Sequence, residues 1–164
     1  MMEKSFHTVR GYQLIEQNKR NLTSAMEDYL EMIYRNSMEE GYLRIGTLAK
    51  LLSVSAPSAS KMVQRLSELG LVKFQKYGII MMNDSGKVMG EYLLERHELL
   101  ENFLRLLGCD DDLLQQTELM EHDITPQLLE NIKLLNDFFM DNEEIMLQYN
   151  QYKYNHKSQL QRKE

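Results

Sequence analysis

Six side chains of the types that bind hard metal ions lie in three short segments of the chain. Two carboxylates lie three residues apart in AMEDYLEMIY, a histidine lies in ERHELLENF, and two carboxylates and a histidine lie in ELMEHD. In chain order they are Asp28, Glu31, His97, Glu118, Glu121 and His122. Each segment has the apolar spacing of a helix, which places side chains three or four residues apart on one face. The sequence therefore predicts three helix-borne groups of ligands.

The types of these side chains restrict the ions that they could bind. Four carboxylates and two imidazoles, without a thiolate or a thioether, suit a hard or borderline ion such as Mn²⁺ or Fe²⁺. Zn²⁺ and Co²⁺ could also bind, because divalent ions of this row bind such ligands more tightly than Mn²⁺ does, so selectivity must come from geometry. Carboxylates shared between two ions would give a binuclear site. Each segment also has an ordinary interpretation, in which its acids are solvated and His97 pairs with an acidic neighbour on its own helix.

The segment GYLRIGTLAKLLSVSAPSASKMVQRLSELGLV, between the first two ligand groups, has the pattern of a helix-turn-helix motif. A short amphipathic helix is followed by the turn SVSA and by a second helix, which Ser55 can cap and whose first turn tolerates Pro57. The alternating residues that follow predict a two-stranded wing, Leu71–Gln75 and Ile79–Met82, with Lys76–Gly78 at its tip.

The second helix of this motif would present a polar face opposite its apolar side. A recognition helix needs short or polar side chains towards the DNA groove and basic residues beside them for phosphates. Gln64 could pair with adenine, and Arg65 with guanine or the backbone. A solvated helix face and a winged helix that binds protein are the alternatives. The candidate DNA-binding residues are Ser55, Pro57, Ser58, Ser60, Lys61, Gln64, Arg65, Lys76 and Tyr77.

The charge of the chain is divided unevenly along its length. The net charge of the 164 residues is −6, which is unusual for a DNA-binding protein. Residues 41–90, however, contain seven Lys and Arg against two acids, whereas residues 91–141 contain three against thirteen. A basic segment beside an acidic one is consistent with a phosphate-binding part followed by a cation-binding part.

The predicted fold class is mainly α, with an N-terminal winged helix-turn-helix of three helices and a two-stranded wing, followed by an all-helical domain. We expect a polar extension over residues 1–21, a DNA-binding domain over 22–90, a metal-binding and dimerisation domain over 91–142, and a polar tail over 143–164. The tail could continue as a helix or fray. A broad apolar surface predicts a homodimer. Its residues are Leu128, Leu129, Ile132, Leu135, Phe138 and Phe139.

The cellular location is predicted from what the sequence contains. The only cysteine is Cys109, so no internal disulfide can form, and the N-terminus has no continuous apolar core typical of a secretory signal. No run of about eighteen apolar residues occurs, so we expect no membrane span. The sequence therefore predicts a cytoplasmic protein.

Taken together, these segments resemble the manganese transport regulators, the short, two-domain branch of the diphtheria-toxin-repressor superfamily. The resemblance runs from about Ser24 to Phe139 and rests on SAMEDYLEMIY, the helix-turn-helix segment, GLVKFQKYGIIMMNDSGK, ERHELLENFLRLLG and ELMEHDIT, in this order. The chain departs from the family in its longer N-terminus, in Asp123, where a second histidine can occur, and in the tail after Glu143. No SH3-like C-terminal domain is expected.

The resemblance implies that the six candidate ligands hold two adjacent divalent ions. Iron-sensing relatives carry Met at the position of Asp28 and Cys at that of Glu118, so oxygen at both positions implies manganese; Cys109 is not at a ligand position. The implied function is a homodimeric, Mn²⁺-activated transcriptional repressor that binds palindromic operators in double-stranded DNA, of manganese-uptake genes. About two Mn²⁺ per subunit are expected, with Fe²⁺, Co²⁺, Zn²⁺ or Cd²⁺ as substitutes.

Three other functions fit parts of the pattern. An iron-responsive repressor would share the fold and differ in the metal that promotes DNA binding. A metal-independent winged-helix regulator of a small aromatic ligand would bind DNA equally well in chelator. A metallohydrolase would need an open coordination position and a substrate cleft, and the sequence shows neither a nucleophile elbow nor a phosphate loop. We therefore expect that the protein is not an enzyme.

Overall fold

The computed structural model describes residues 22–160, with side chains through residue 156. The extension predicted for residues 1–21 lies outside the described residues. The chain forms two compact units, the first ending at His97 and the second beginning at Glu98. No helix in the described range combines the length and the apolar character that a membrane crossing requires. The predicted fold class, mainly α with a winged helix-turn-helix followed by an all-helical part, is confirmed.

The first unit begins with helix α1, Ser24–Ser37. Thr23 caps it, since its hydroxyl accepts a hydrogen bond from the Met26 amide. Apolar side chains at helical spacing, including Leu30 and Ile33, are buried along one side of α1. The opposite side is left for charged residues, as the apolar spacing predicts.

The helix-turn-helix follows as α2, Ile45–Leu51, and α3, Ala56–Glu68. Ser55 caps α3 by accepting a hydrogen bond from the Ser58 amide, and Pro57 lies in the first turn. The buried side of α3 consists of Ala59, Val63 and Leu66. The cap and the apolar period that predict the second helix of the motif are both confirmed.

The wing is part of a three-stranded antiparallel sheet with the order β1-β3-β2. The strands are β1, Leu43–Arg44, β2, Val72–Gln75, and β3, Ile79–Met82. The prediction of a two-stranded wing is therefore incomplete, because β1 also pairs with β3, with Leu43 opposite Ile80. A strand of two residues is too short to show alternation, so the sequence gives no signal for it.

The tip of the wing lies at Lys76–Gly78, as predicted, and the structure shows that it is a 3-10 turn. Gly78 has φ +72°, and a Cβ atom there would lie 2.5 Å from Cγ2 of Ile45. A larger residue would therefore be both strained and crowded at this position. Tyr77 also has a positive φ, of 64°.

Helix α4, Asp84–Leu107, contains the boundary between the two units. The second unit continues with α5, Leu113–Glu121, α6, Pro126–Asp141, and α7, Glu143–Leu160. Thr125 caps α6 by accepting a hydrogen bond from the Leu128 amide, and Pro126 lies in the first turn, where its missing N–H costs no hydrogen bond. Residues 143–160, for which the sequence left a helix or a frayed end open, form a helix.

Side chains of the second unit join its helices. Asn136 on α6 donates a hydrogen bond to the carbonyl of Leu99, at 3.0 Å. Lys153 on α7 donates to the carbonyl of Leu106, at 2.8 Å, and lies over the ring of Tyr149. Because the last carbonyls of a helix lack partners within it, the contact of Lys153 stabilises the end of α4.

Candidate metal centre and nucleic-acid interface

Helix α1 carries two of the predicted ligands. Asp28 and Glu31 are three residues apart on the side of α1 that is not fully buried, and the Glu31 side chain is only 12% exposed. A guanidinium nitrogen of Arg35, one turn further on, lies 2.7 Å from Oε1 of Glu31. A carboxylate with so little contact with water needs cationic or hydrogen-bonding partners.

His97 on α4 is buried, and its ring is close to Glu31. A carboxylate oxygen of Glu31 and a ring nitrogen of His97 lie within 4.8 Å of each other. At this separation the two side chains could bind one ion or two adjacent ions. The structure therefore brings together two predicted ligands that are 66 positions apart in the sequence, an arrangement that the spacing of the ligands alone does not predict.

A buried ion pair joins α1 to α4 beside these ligands. A guanidinium nitrogen of Arg96 lies 2.8 Å from a carboxylate oxygen of Glu27, and both side chains are largely buried. Within the described residues, Nε of Arg96 has no hydrogen-bond partner. Arg96 directly precedes His97, and Glu27 directly precedes Asp28, so the pair holds the two helices together next to these candidate ligands. No local pattern in the sequence predicts this pair, because its two residues are 69 positions apart.

Gly90 allows α1 and α4 to approach closely. A Cβ atom at residue 90 would lie 2.6 Å from Cβ of Tyr34. Glu27, near the start of α1, pairs with Arg96, whereas Tyr34, near the end of α1, lies beside Gly90, which precedes Arg96 in α4. The two helices therefore run antiparallel. Burial and the nearby Glu91 carboxylate raise the pKa of Tyr34, so its hydroxyl remains protonated and adds no charge at this contact.

Helix α5 supplies the other predicted ligands. Glu121 is the last residue of α5 and is 2% exposed, and His122 is its C-cap residue. Nε2 of His122 lies 3.9 Å from Oε1 of Glu121. Glu118, one turn earlier, is exposed and belongs to no cluster of three ligand atoms among the described residues. Its role as a ligand remains a prediction.

The residues of both units fit a hard divalent ion. Glu31 with His97, and Glu121 with His122, each combine a carboxylate oxygen with an imidazole nitrogen, and all four side chains are largely withdrawn from water. Neither pair includes sulfur. Oxygen and imidazole ligands favour Mn²⁺ or Fe²⁺ over ions that prefer thiolates.

The predicted DNA-binding residues of α3 lie on the side opposite its apolar core. All of them are exposed except Ser60, which is half-buried. The Ser55 hydroxyl also donates to the Ser58 hydroxyl at 2.9 Å, which orders the first turn of the helix. Lys61, Gln64 and Arg65 follow along the same side, so the structure gathers the predicted polar and basic groups on one surface.

The wing tip provides a second candidate surface for nucleic acid. Lys76 is exposed, and Tyr77 is 92% exposed, the highest value among the exposed large apolar and aromatic side chains of the described residues. An aromatic side chain so far from any packing partner adds nothing to the core. A contact with a nucleic acid backbone or minor groove would account for its position.

Comparison with known proteins identifies the family. The model of the iron dependent repressor N-terminal DNA binding domain matches residues 21–80, and that of the iron dependent repressor metal binding and dimerisation domain matches residues 83–146. The chain belongs to the iron-dependent repressor family. Its members are metal-dependent transcriptional repressors, and this repressor has both of the domains that define them.

Relatives of this repressor align over most of its length. It is 38% identical to an HTH-type transcriptional regulator MntR of Bacillus velezensis. The 122 aligned residues cover 74% of this chain and 86% of the relative. It is 37% identical over 127 residues to the MntR of Bacillus pumilus, which is 77% of this chain and 88% of that relative. The resemblance to the manganese transport regulators is therefore confirmed.

Solved structures of related regulators share the fold of this repressor. The manganese regulator SloR is 30% identical, with a TM-score of 0.60 over 68% of this chain and 53% of that one. The metal-dependent transcriptional regulator MtsR is 28% identical, with a TM-score of 0.63 over 69% of this chain and 54% of that one. The repressor thus spans about half the length of these two chains.

Proposed function

We propose that this repressor is activated by Mn²⁺ and binds palindromic operators as a homodimer. The observation that carries the proposal is the pairing of carboxylate and imidazole ligands in both units, Glu31 with His97 and Glu121 with His122. The names of relatives support the choice of metal, since SloR is described as a manganese regulator. Manganese-uptake genes are the proposed targets.

The proposed metal centre contains all six predicted ligands and about two ions per subunit. Asp28 and Glu31 belong to the DNA-binding domain, proposed for residues 22–90. The remaining four, His97, Glu118, Glu121 and His122, belong to the metal-binding and dimerisation domain, proposed for residues 91–142. Oxygen at residues 28 and 118 supports manganese, whereas Fe²⁺, Co²⁺, Zn²⁺ and Cd²⁺ are proposed only as substitutes.

The regulatory step follows from where the ligands lie in the chain. Bound Mn²⁺ would supply a positive centre that carboxylates and imidazoles of both domains can share. Ligands from both domains would then restrict how the domains move, and thereby the spacing of the two recognition helices of the dimer. A palindromic operator accepts only spacings that match successive major grooves. By linkage, operator DNA should tighten Mn²⁺ binding by the same factor.

The proposed reading surface is the exposed side of α3 together with the wing tip. Ser55, Pro57, Ser58 and Ser60 would contact DNA through the first turns of α3, where short side chains permit close approach. Lys61 and Arg65 would meet phosphates or guanine, and Gln64 a base edge. Lys76 and Tyr77 would contact the flanking backbone or minor groove.

Equilibrium binding of metal by the purified protein tests the proposed centre. We expect close to two Mn²⁺ per subunit with micromolar to low millimolar affinity, measured by competition with a chromophoric chelator and by the loss of the free-Mn²⁺ EPR signal. Glu121→Gln keeps the size of the side chain and removes its charge, so it should weaken binding. Glu130→Gln, an exposed acid of α6, is the matched control and should not.

Two results would overturn the proposal that Mn²⁺ activates this repressor. Wild-type protein that binds no Mn²⁺ in this range contradicts the proposed centre. Protein whose DNA binding responds to Fe²⁺ under anaerobic conditions but not to Mn²⁺ would instead be an iron-responsive repressor of the same fold. Comparison of Mn²⁺, Fe²⁺, Zn²⁺ and chelator in one DNA-binding assay separates these functions.

A further inference from the structure

Glu31 accepts a hydrogen bond from a cation on its own helix. Arg35 is one turn further along α1, and its guanidinium nitrogen lies 2.7 Å from Oε1 of Glu31. A Glu four residues before a cation is the favourable order for such a pair on a helix. The Glu31 side chain is 12% exposed and that of Arg35 is 44% exposed, so water screens the pair only on the side of Arg35.

The same carboxylate is within reach of His97. A ligand atom of Glu31 lies within 4.8 Å of a ring nitrogen of His97, which places the ion pair beside the proposed metal centre. A carboxylate that accepts a charge-assisted hydrogen bond has part of its negative charge neutralised and one lone pair engaged. A divalent cation must share the carboxylate with the guanidinium or displace it, and it is also repelled by the positive charge.

We propose that Arg35 lowers the Mn²⁺ affinity of this repressor by competing with the ion for Glu31. The inference rests on the proposed function, in which Glu31 is a ligand. Its consequence is regulatory, because Arg35 raises the Mn²⁺ concentration at which the protein responds. Arg35 does not coordinate the metal itself and acts only through Glu31.

The test is the Mn²⁺ dissociation constant of Arg35→Gln, measured with the full-length protein by competition with a chromophoric chelator. We expect binding to tighten about two- to fivefold, which corresponds to the strength of a partly exposed ion pair. Arg35→Lys should give an intermediate value, since lysine keeps the charge but not the planar fork of donors. Raising the salt concentration should reduce the difference between Arg35→Gln and wild type, because salt screens exposed charges.

The chain offers a matched control in the pair of Arg105 with Glu101. This pair also joins residues four apart on one helix, at the same N–O distance of 2.7 Å, and Arg105 is 56% exposed. Glu101 is not a proposed ligand. Arg105→Gln changes the net charge of the protein by the same amount as Arg35→Gln and should leave the Mn²⁺ dissociation constant at the wild-type value. Thermal unfolding in chelator establishes that each variant is folded.

Glu31→Gln separates failure of this inference from failure of the proposed function. Wild-type protein without Mn²⁺ binding, or binding that Glu31→Gln leaves unchanged, overturns the role of Glu31 as a ligand and the inference with it. If Glu31→Gln weakens binding but Arg35→Gln binds with unchanged or lower affinity, only the competition by Arg35 is overturned. Equal tightening in Arg105→Gln also overturns it, because the effect would then be one of net charge.

Discussion

The side chain of Asp28 tests the proposed choice of metal at the scale of one residue. Asp28 is half-buried on α1, so a larger side chain has room on its solvent side. We predict that Asp28→Met shifts the preference of the site from Mn²⁺ towards Co²⁺ and Fe²⁺, because a thioether is a softer ligand than a carboxylate. The measurement is the ratio of the dissociation constants for Mn²⁺ and Co²⁺ under anaerobic conditions.

Asp28→Asn is the control for this prediction. It keeps an oxygen at the same position and removes only the charge, so it should weaken both ions without changing their order. If Asp28→Met retains the wild-type ratio, Asp28 does not determine selectivity, and the softness of the side chain at residue 28 does not set the metal preference.

At the scale of the element, the approach of α1 to α4 places Glu31 near His97. Gly90→Ala would add a Cβ atom 2.6 Å from Cβ of Tyr34, so the two helices must move apart. Alanine normally stabilises a helix by about 1 kcal/mol relative to glycine, but overpacking costs about 1–3 kcal/mol. We predict weaker Mn²⁺ binding in Gly90→Ala, measured by the same chelator competition.

Gly46 on α2 provides the comparison for Gly90. A Cβ atom there would meet nothing within 4 Å, so Gly46→Ala should keep the wild-type Mn²⁺ affinity and should not lower the free energy of unfolding. Wild-type Mn²⁺ affinity in Gly90→Ala would show that the spacing of α1 and α4 does not control the metal centre.

Helix α3 carries a prediction about DNA. Lys61 is exposed on the side opposite Val63 and Leu66. Lys61→Ala should weaken binding to all sequences alike and reduce the slope of log K against log salt by about one unit per subunit, if Lys61 contacts one phosphate. The measurement is fluorescence anisotropy with duplex DNA across a salt series.

Lys133→Ala removes the same charge from an exposed position on α6 and should leave the salt slope unchanged. Neither substitution should alter Mn²⁺ affinity measured without DNA. Full DNA affinity and an unchanged salt slope in Lys61→Ala would remove Lys61 from the proposed reading surface.

The elements differ in how far the sequence predicts them. Helix α3 is predictable because Ser55, Pro57 and the buried Val63 and Leu66 are local signals of a cap, a first turn and an apolar face. On α5 the sequence predicts the candidate ligands Glu121 and His122 correctly as neighbours, whereas Glu118, which shares their predicted helix face, belongs to no cluster among the described residues. Strand β1, the Arg96–Glu27 pair and the close contact at Gly90 are not predictable, since each depends on residues that only the folded chain brings together.

At the scale of the whole molecule, the second unit exposes large apolar side chains. Of the apolar surface predicted from the sequence, Leu128, Leu135 and Phe138 are exposed on α6, whereas Leu129 and Ile132 are buried within the subunit and Phe139 is half-buried, so that part of the prediction is wrong. The family model that matches this region includes dimerisation. Several large apolar side chains exposed on one helix are typical of an interface. We predict a dimer in sedimentation velocity at micromolar concentration, both with Mn²⁺ and in chelator, because one subunit cannot cover this surface.

Phe138→Glu places a charge on the proposed interface and should shift the protein towards monomer. Met38→Glu, at an exposed apolar position just after α1, should remain dimeric. A stable wild-type monomer in chelator would contradict the prediction that dimerisation precedes metal binding.

Coupling between metal and DNA is the central claim, and one titration tests it most directly. A duplex that binds the protein is first selected from a random pool in the presence of Mn²⁺, and its affinity is then measured by fluorescence anisotropy with Mn²⁺ and with chelator. We predict that Mn²⁺ tightens binding by the wild-type protein about 5- to 150-fold, and that Glu121→Gln loses most of this gain. Equal affinity in Mn²⁺ and in chelator, or a Glu121→Gln variant that responds as strongly as wild type, would contradict it.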